Sequence, residues 1–256
     1  MKHRLSVILL VIPVFFLAAC GPAKEEAKKE EAPAAAAAPP IDEASAATLT
    51  GKVSFTGPKP VLKAISMEAT PACSRQHSTA PRSEEVVLNA DGTLQNVFVW
   101  VKAGVPERQW PMPATQAKLD QLSCIYKPHV IGVMVNQEIE ISNSDPTNHN
   151  IHPLPKVNRE WNESQPPKGD VKKKQFPREE IMIPVKCNVH PWMRSYIGVV
   201  SHPFFAVTGA DGAFTIKGLP PGEYTLEAWH EKYGVQETKI TVAPKETKTS
   251  DFTFKG

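Results

Sequence analysis

The chain has 256 residues, 41% of them hydrophobic and 22% charged, with a formal charge of +2. Lys2 and Arg4 lie in the leader, leaving 27 of the 29 basic residues against 27 acidic ones, a balance that argues against non-specific nucleic-acid binding. Proline (25) and glycine (14) are too frequent for an all-helical bundle. No P-loop, G-x-G-x-x-G, G-x-S-x-G or H-E-x-x-H pattern supports a nucleotide site or a common hydrolase.

In chain order, a basic start at Lys2, His3 and Arg4 precedes an almost wholly apolar stretch at residues 5–17. That stretch is too short to span a bilayer comfortably and fits the core of a secretion signal. It ends in Leu17-Ala18-Ala19-Cys20-Gly21, which resembles a bacterial lipoprotein lipobox. The resemblance implies a signal peptide at residues 1–19, lipidation of Cys20, and a periplasmic or otherwise extracytoplasmic protein anchored to a membrane. In such lipoproteins Asp after the cysteine favours inner-membrane retention; Gly21 leaves the outer membrane open. Residues 20–47, rich in Ala, Pro, Lys and Glu, cannot bury enough surface to offset ordering and read as a disordered tether.

From residue 48 the pattern is that of β structure. Leu49, Gly51, Val53 and Phe55 share one parity. Residues 86–88, a turn at Asp91-Gly92 and residues 97–101 read as paired strands. Residues 130–135 and 139–141 flank Asn136-Gln137. Ile181, Ile183, Val185 and Cys187 share a strand face, and residues 196–200 form a further strand. Residues 204–208, 214–216, 224–229 and 237–242 follow, separated by Asp211-Gly212, Pro220-Pro221-Gly222 and Tyr233-Gly234. Many short strands with turn signals between them predict an all-β sandwich or barrel.

Two segments carry chemistry: Cys187-Asn188-Val189-His190-Pro191-Trp192-Met193, and the run from Asn143 to Asn150 that ends in His149-Asn150. A thiolate, two imidazoles and a weak thioether are the donor set of a blue copper site. One tight loop after a strand presents Cys187, His190 and Met193, and a neighbouring strand supplies His149. Alone, each of these residues reads as packing or as a polar loop residue. Together they make a metal site, because a free thiol in an oxidising compartment needs a reason to exist.

At these residues the sequence resembles the cupredoxins, amicyanin and plastocyanin in particular. Cys187-x-x-His190-x-x-Met193 with Arg194 is similar to the short ligand loop of amicyanin, and His149-Asn150-Ile151-His152 to its upstream motif. Residues 130–145 are similar to the paired strands that precede that motif. The resemblance implies a Greek-key β-sandwich, one mononuclear copper held by His149, Cys187, His190 and Met193, and one-electron transfer with no substrate transformed. Asn150 would tie the two ligand loops together by hydrogen bonds. Val189 replaces the proline that amicyanin carries at this position and restores an N–H near the sulfur, which would raise the potential if it points there. His152 falls on the opposite strand face from His149. His190 is expected near the surface, with Pro191 and Trp192 forming an apolar rim for a redox protein partner. The charged stretch at residues 153–180 reads as a solvated loop.

A second resemblance covers residues 209–226, from Gly209-Ala210-Asp211-Gly212 through Pro220-Pro221-Gly222-Glu223-Tyr224. It is similar to the carboxypeptidase regulatory-like, transthyretin-type β-sandwich, a module that is usually structural. Such modules open with a strand like Thr48-Leu49-Thr50-Gly51-Lys52-Val53. This predicts one sandwich from residues 48–120 plus 203–255, with a cupredoxin domain at 121–202 inserted into it; two consecutive domains are the competing arrangement. With Cys20 assigned to lipid and Cys187 to copper, Cys73 and Cys124 remain. They form either a disulfide or, with His77 and His129, a second metal site.

The leading expectation is a membrane-tethered blue copper electron carrier. The alternatives are a lipoprotein that stores or delivers copper without redox turnover, a structural β-sandwich lipoprotein, and an enzyme with an open copper position.

Overall fold

The computed structural model describes residues 42–256. The leader, Cys20, Gly21 and most of the tether lie outside the described residues. The strands in chain order are β1 (Ala47–Thr56), β2 (Phe98–Ala103), β3 (Ala117–Leu122), β4 (Ile125–Lys127), β5 (Val130–Met134) and β6 (Ile139–Asn143). There follow β7 (His149–Pro153), β8 (Glu163–Gln165), β9 (Lys172–Lys174), β10 (Glu180–Lys186) and β11 (Arg194–Val200). The last are β12 (Phe205–Val207), β13 (Ala213–Leu219), β14 (Gly222–His230), β15 (Gly234–Val242), β16 (Thr247–Thr249) and β17 (Phe252–Lys255). One short helix, α1 (Pro71–Ser74), interrupts them, so the fold is all-β.

The strands make two sandwiches. In the first, β1 lies between β13 and the β16–β17 segment, and this sheet faces the sheet β12-β2-β14-β15. Alternation in β1 sends Leu49 and Val53 into a core shared with Val97, Val99, Val101, Phe214, Leu226 and Phe254. The chain leaves after β2 and returns at β12, so strands from both ends of the described chain build this sandwich. In the second, the sheet β5-β11-β10-β7-β8 faces β4-β3-β6-β9 over a core that includes Leu119, Tyr126, Val133, Ile141, Ile151, Val185 and Ile197.

The sandwiches touch through the outer faces of β2 and β11. Strand β2 is buried on both sides: Val99 and Val101 enter the first core, while Phe98 and Trp100 pack on Val130, Met182 and Val200. Phe98 lies over Gly132 and Gly198, which are paired across β5 and β11. A Cβ added at either glycine would come within 2.7 Å of the Phe98 ring, so the absence of a side chain sets this close approach.

Several sequence expectations are corrected. The boundary at residue 120 would cut β3, which pairs with β6 and belongs to the second sandwich. Met67 and Cys73 also lie in the second core, although they were assigned to the first. Residues 86–88 pair across the Asp91-Gly92 turn with Leu94 and Gln95; the strand after the turn instead pairs with β12 and β14. Strands β5 and β6 are not paired with each other but lie in opposite sheets, β5 beside β11 and β6 beside β3 and β9. The charged stretch at 153–180 contributes β8 and β9. In each case long-range pairing overrides the local turn signal.

Candidate metal centre

Strand β10 ends one residue before Cys187, and β11 begins one residue after Met193. The last rung between them is Lys186–Arg194, so the seven-residue loop 187–193 is a hairpin loop on a fixed frame. Inside it the Met193 N–H donates to His190 O at 3.0 Å, the Cys187 N–H to Met193 O at 3.3 Å, and the His190 N–H to Cys187 Sγ at 3.4 Å. The sulfur-directed N–H of the loop is therefore that of His190. Val189 points outward and is 55% exposed, which corrects the expectation placed on its N–H.

Strand β7 lies beside β10 and brings His149. His149 Nδ1 is 2.9 Å from His190 Nδ1, and Cys187 Sγ is 3.8 Å from His190 Nδ1. All three side chains are buried, and their donor atoms lie within 4.8 Å of one another. Two imidazole nitrogens so close demand a proton or a cation between them. Spacings of this size fit nitrogens about 2 Å, and a thiolate about 2.3 Å, from one shared ion. The donor set suits copper. Met193 is buried in the same core cluster and closes the loop. The structure thus brings His149, Cys187 and His190 together, with Met193 beside them.

Asn150 clamps the two segments. Its Oδ1 accepts from the Asn188 N–H at 2.6 Å and from the Cys187 thiol at 3.3 Å, while its backbone oxygen accepts from buried Tyr126 at 2.5 Å. His152 faces away from the donors, held between Asn188 and Glu160. Burial alone would raise the Cys187 thiol. Hydrogen bonds from the His149 and His190 imidazoles and from the N–H groups of Asn150 and His190 outweigh it and bring the thiol down to about 5.

Asp145 is a residue that sequence reasoning passed over. It is completely buried, and its Oδ2 accepts from His149 Nε2 at 2.8 Å. The N–H groups of Ser123 and Cys124 donate to the same carboxylate at 2.6 and 2.7 Å. Burial pushes this carboxyl up, but the His149 bond and the two N–H bonds hold it below its ordinary value. Asp145 therefore fixes the proton of His149 on Nε2 and leaves Nδ1 facing His190, where it could serve as a metal donor.

The other predicted residues are placed as follows. Cys73 and Cys124 form a disulfide with Cα atoms 5.6 Å apart. His77 bonds to Ser123 O at 2.8 Å, whereas His129 pairs with Glu231 at 2.5 Å, so the four do not form one site. His190 is only 2% exposed, contrary to the expectation of a surface residue. The disulfide covers it, with Cys73 Sγ 3.6 Å from His190 Nε2, and Trp192 packs beside it with ring centroids 5.1 Å apart. Trp192 is half-buried and donates its indole N–H to Cys124 O at 3.0 Å; Pro191 is exposed.

The family model of the carboxypeptidase regulatory-like domain matches residues 199–255. No curated protein sequence matches the chain. Among solved structures the chain is similar to a purple cupredoxin from Nitrosopumilus maritimus, at 20% identity and a TM-score of 0.28, over 33% of this chain and 99% of that one. It is similar to a mutant of amicyanin in its Cu(I) form, at 17% identity and a TM-score of 0.30, over 40% of this chain and 97% of that one. A third is a copper-containing nitrite reductase from Thermus scotoductus SA-01, at 17% identity and a TM-score of 0.29, over 39% of this chain and 25% of that one. The family-model match at residues 199–255 overlaps the motif at residues 209–226 that resembles that module.

Proposed function

We propose that the protein is a blue copper electron carrier, with His149, Cys187 and His190 holding one copper and Met193 as a weak fourth donor. The carrying observation is the convergence of one sulfur and two imidazole nitrogens in a buried pocket. Asp145 accepts a hydrogen bond from His149, and the Asn150 N–H donates to the Cys187 sulfur, so two of these three side chains are fixed from behind. Bound copper would supply a one-electron couple. The chain's own part is to hold its donors in one arrangement for both oxidation states, so that little has to move.

The proposed contact for a redox protein partner is the rim at Pro191 and Trp192. Trp192 touches His190 and reaches the surface, where a cavity of about 340 Å³ is lined by Pro191 and Trp192 together with Lys63, Glu84, Arg194 and Glu231. The protein transforms no substrate in this reading. The basic and apolar leader and Cys20 support a lipid-anchored extracytoplasmic carrier, with Gly21 compatible with an outer membrane.

Copper storage or delivery is the second reading, and the burial of His190 favours it, because a carrier gains from a ligand near its surface. The test is the visible and EPR spectrum of the copper-loaded, oxidised protein. An intense band near ~600 nm with narrow copper hyperfine splitting, lost in Cys187→Ser, supports the carrier. A colourless protein that holds only Cu(I) supports storage or delivery.

A further inference from the structure

The donors of the proposed copper site are not the only soft cluster in this sandwich. Cys73 Sγ, Cys124 Sγ and His190 Nε2 also lie within 4.8 Å of one another, and all three residues are buried. His190 stands between the two groups, with Nδ1 toward His149 and Cys187 and Nε2 toward Cys73. Cys73 is on α1, a helix of four residues. The backbone bonds around Cys73 are local to its own turn, running from Met67 to His77, and His77 ties that turn to Ser123 O. A cavity of about 300 Å³ lined by Ile65, Met67, Ser74 and His77 adjoins it, giving that turn room to shift. On the other side, Cys124 is fixed by the bonds of its N–H to Asp145 and of its carbonyl to Trp192.

We propose that the reduced Cys73–Cys124 pair is a second metal site, selective for Cu(I), with His190 Nε2 as its third donor, and that the disulfide is its locked form. The reductant is a dithiol: it passes two electrons and two protons to the disulfide, becomes a disulfide itself, and leaves two protein thiols. Those thiols release their protons as Cu(I) binds. Two thiolates and one imidazole at low coordination number suit Cu(I), a soft ion, over harder divalent ions. A neutral imidazole offers only one lone pair, so His190 completes one site at a time. Copper held by Cys73 and Cys124 is therefore placed to pass to His149, Cys187 and His190 when the ring changes partner. This inference rests on the Cys73, Cys124 and His190 geometry and stands apart from whether the first site carries electrons.

The experiment uses the full chain with Cys187→Ser, which disables the first site. Cu(I) is titrated anaerobically against bicinchoninate, before and after reduction with a phosphine that is then removed. The expected result is one equivalent of Cu(I) held by the reduced chain and none by the oxidised chain. Adding Cys73→Ser and Cys124→Ser abolishes it, and adding His190→Ala weakens it by at least about tenfold. Equal binding before and after reduction overturns the proposal. So does an unchanged affinity in His190→Ala, which would show two loose thiols rather than a built site. Loss of near-ultraviolet circular dichroism on reduction also overturns it, because the site requires the folded reduced chain.

Discussion

The two sandwiches share an architecture and differ in what they bury. The first has a mainly apolar core, with Leu49, Val53, Val99, Phe214, Leu226 and Phe254, and its buried polar side chains, such as Thr208 and His230, are scattered rather than gathered at one end. The second begins the same way, but one end is filled with polar groups: Asn143, Asp145, His149, Asn150, Gln165 and His190 are all buried, with Cys187 among them. Such groups cost free energy to bury unless each is hydrogen-bonded. Here they are: Asn143 donates to the carbonyls of Thr147, Gln165 and Pro166 and accepts from the Asp145 N–H, and Gln165 donates to Ile141 O. A sandwich can thus carry a donor set at one end when a hydrogen-bonded polar network replaces the apolar plug. Such a network rigidifies the groups that it leaves facing inward.

Separating the two sandwiches should have the largest effect. Phe98 is fully buried between them, and Phe98→Ala is expected to cost about 3–5 kcal/mol. Calorimetry should show one melting transition becoming two, each belonging to one sandwich. A single transition merely shifted downward would show that the sandwiches unfold as one unit without this contact. Removing the disulfide comes next. Cys73→Ser with Cys124→Ser opens a loop of sequence separation 51, worth about 4 kcal/mol in the chain-entropy model. In the Phe98→Ala background the loss should fall on the transition of the second sandwich and leave that of the first in place.

A smaller change is expected at the site itself. Asp145→Ala leaves His149 Nε2 and two buried N–H groups without their acceptor, at about 3 kcal/mol. Asp145→Asn, nearer in shape, should lower copper affinity by about 10–100-fold while sparing most of the fold. Competition titration of copper measures the first effect and thermal melting the second. An Asn variant with unchanged affinity would contradict the positioning role.

What the chain spelled out locally was readable before folding. Cys187, His190 and Met193 share one loop, and His149-Asn150 forms a compact second motif, so the donors could be named from spacing. The turns at Asp91-Gly92 and Asp211-Gly212 and the alternation of β1 could also be read. Asp145 could not, because a lone aspartate among Asn, Ser and Pro reads as a turn. Its partners Ser123 and Cys124 reach it only through the pairing of β3 with β6. The covering of His190 was equally hidden, since it comes from Cys73, 117 positions upstream. Parallel pairing of β5 with β11 leaves no local signal, so the assignment of strands to sheets had to wait for the fold.

The smallest expected effect is that of pH on the contact zone, where two histidines titrate in opposite senses. Burial, helped by nearby His129 and Lys232, drives His230 down to about 4 against the pull of Glu231. In the unfolded chain it would take up its proton near 6.5. Its contribution to stability is thus present above about 6.5 and lost as pH falls toward 4, because the unfolded state binds the extra proton. Burial also pulls His129 down, but its hydrogen bond to Glu231 and the charges of Glu231 and Glu84 outweigh this and raise it. Its contribution is present below about 6.5 and lost as pH rises through the raised value. Melting temperatures should therefore fall on both sides of a maximum. His230→Asn, which keeps an acceptor for the Lys232 and Tyr233 N–H groups, should flatten the acid side alone. His129→Gln should flatten the neutral-to-alkaline side alone. If either variant changed both limbs equally, the two histidines would be acting as one coupled unit across the contact between the sandwiches.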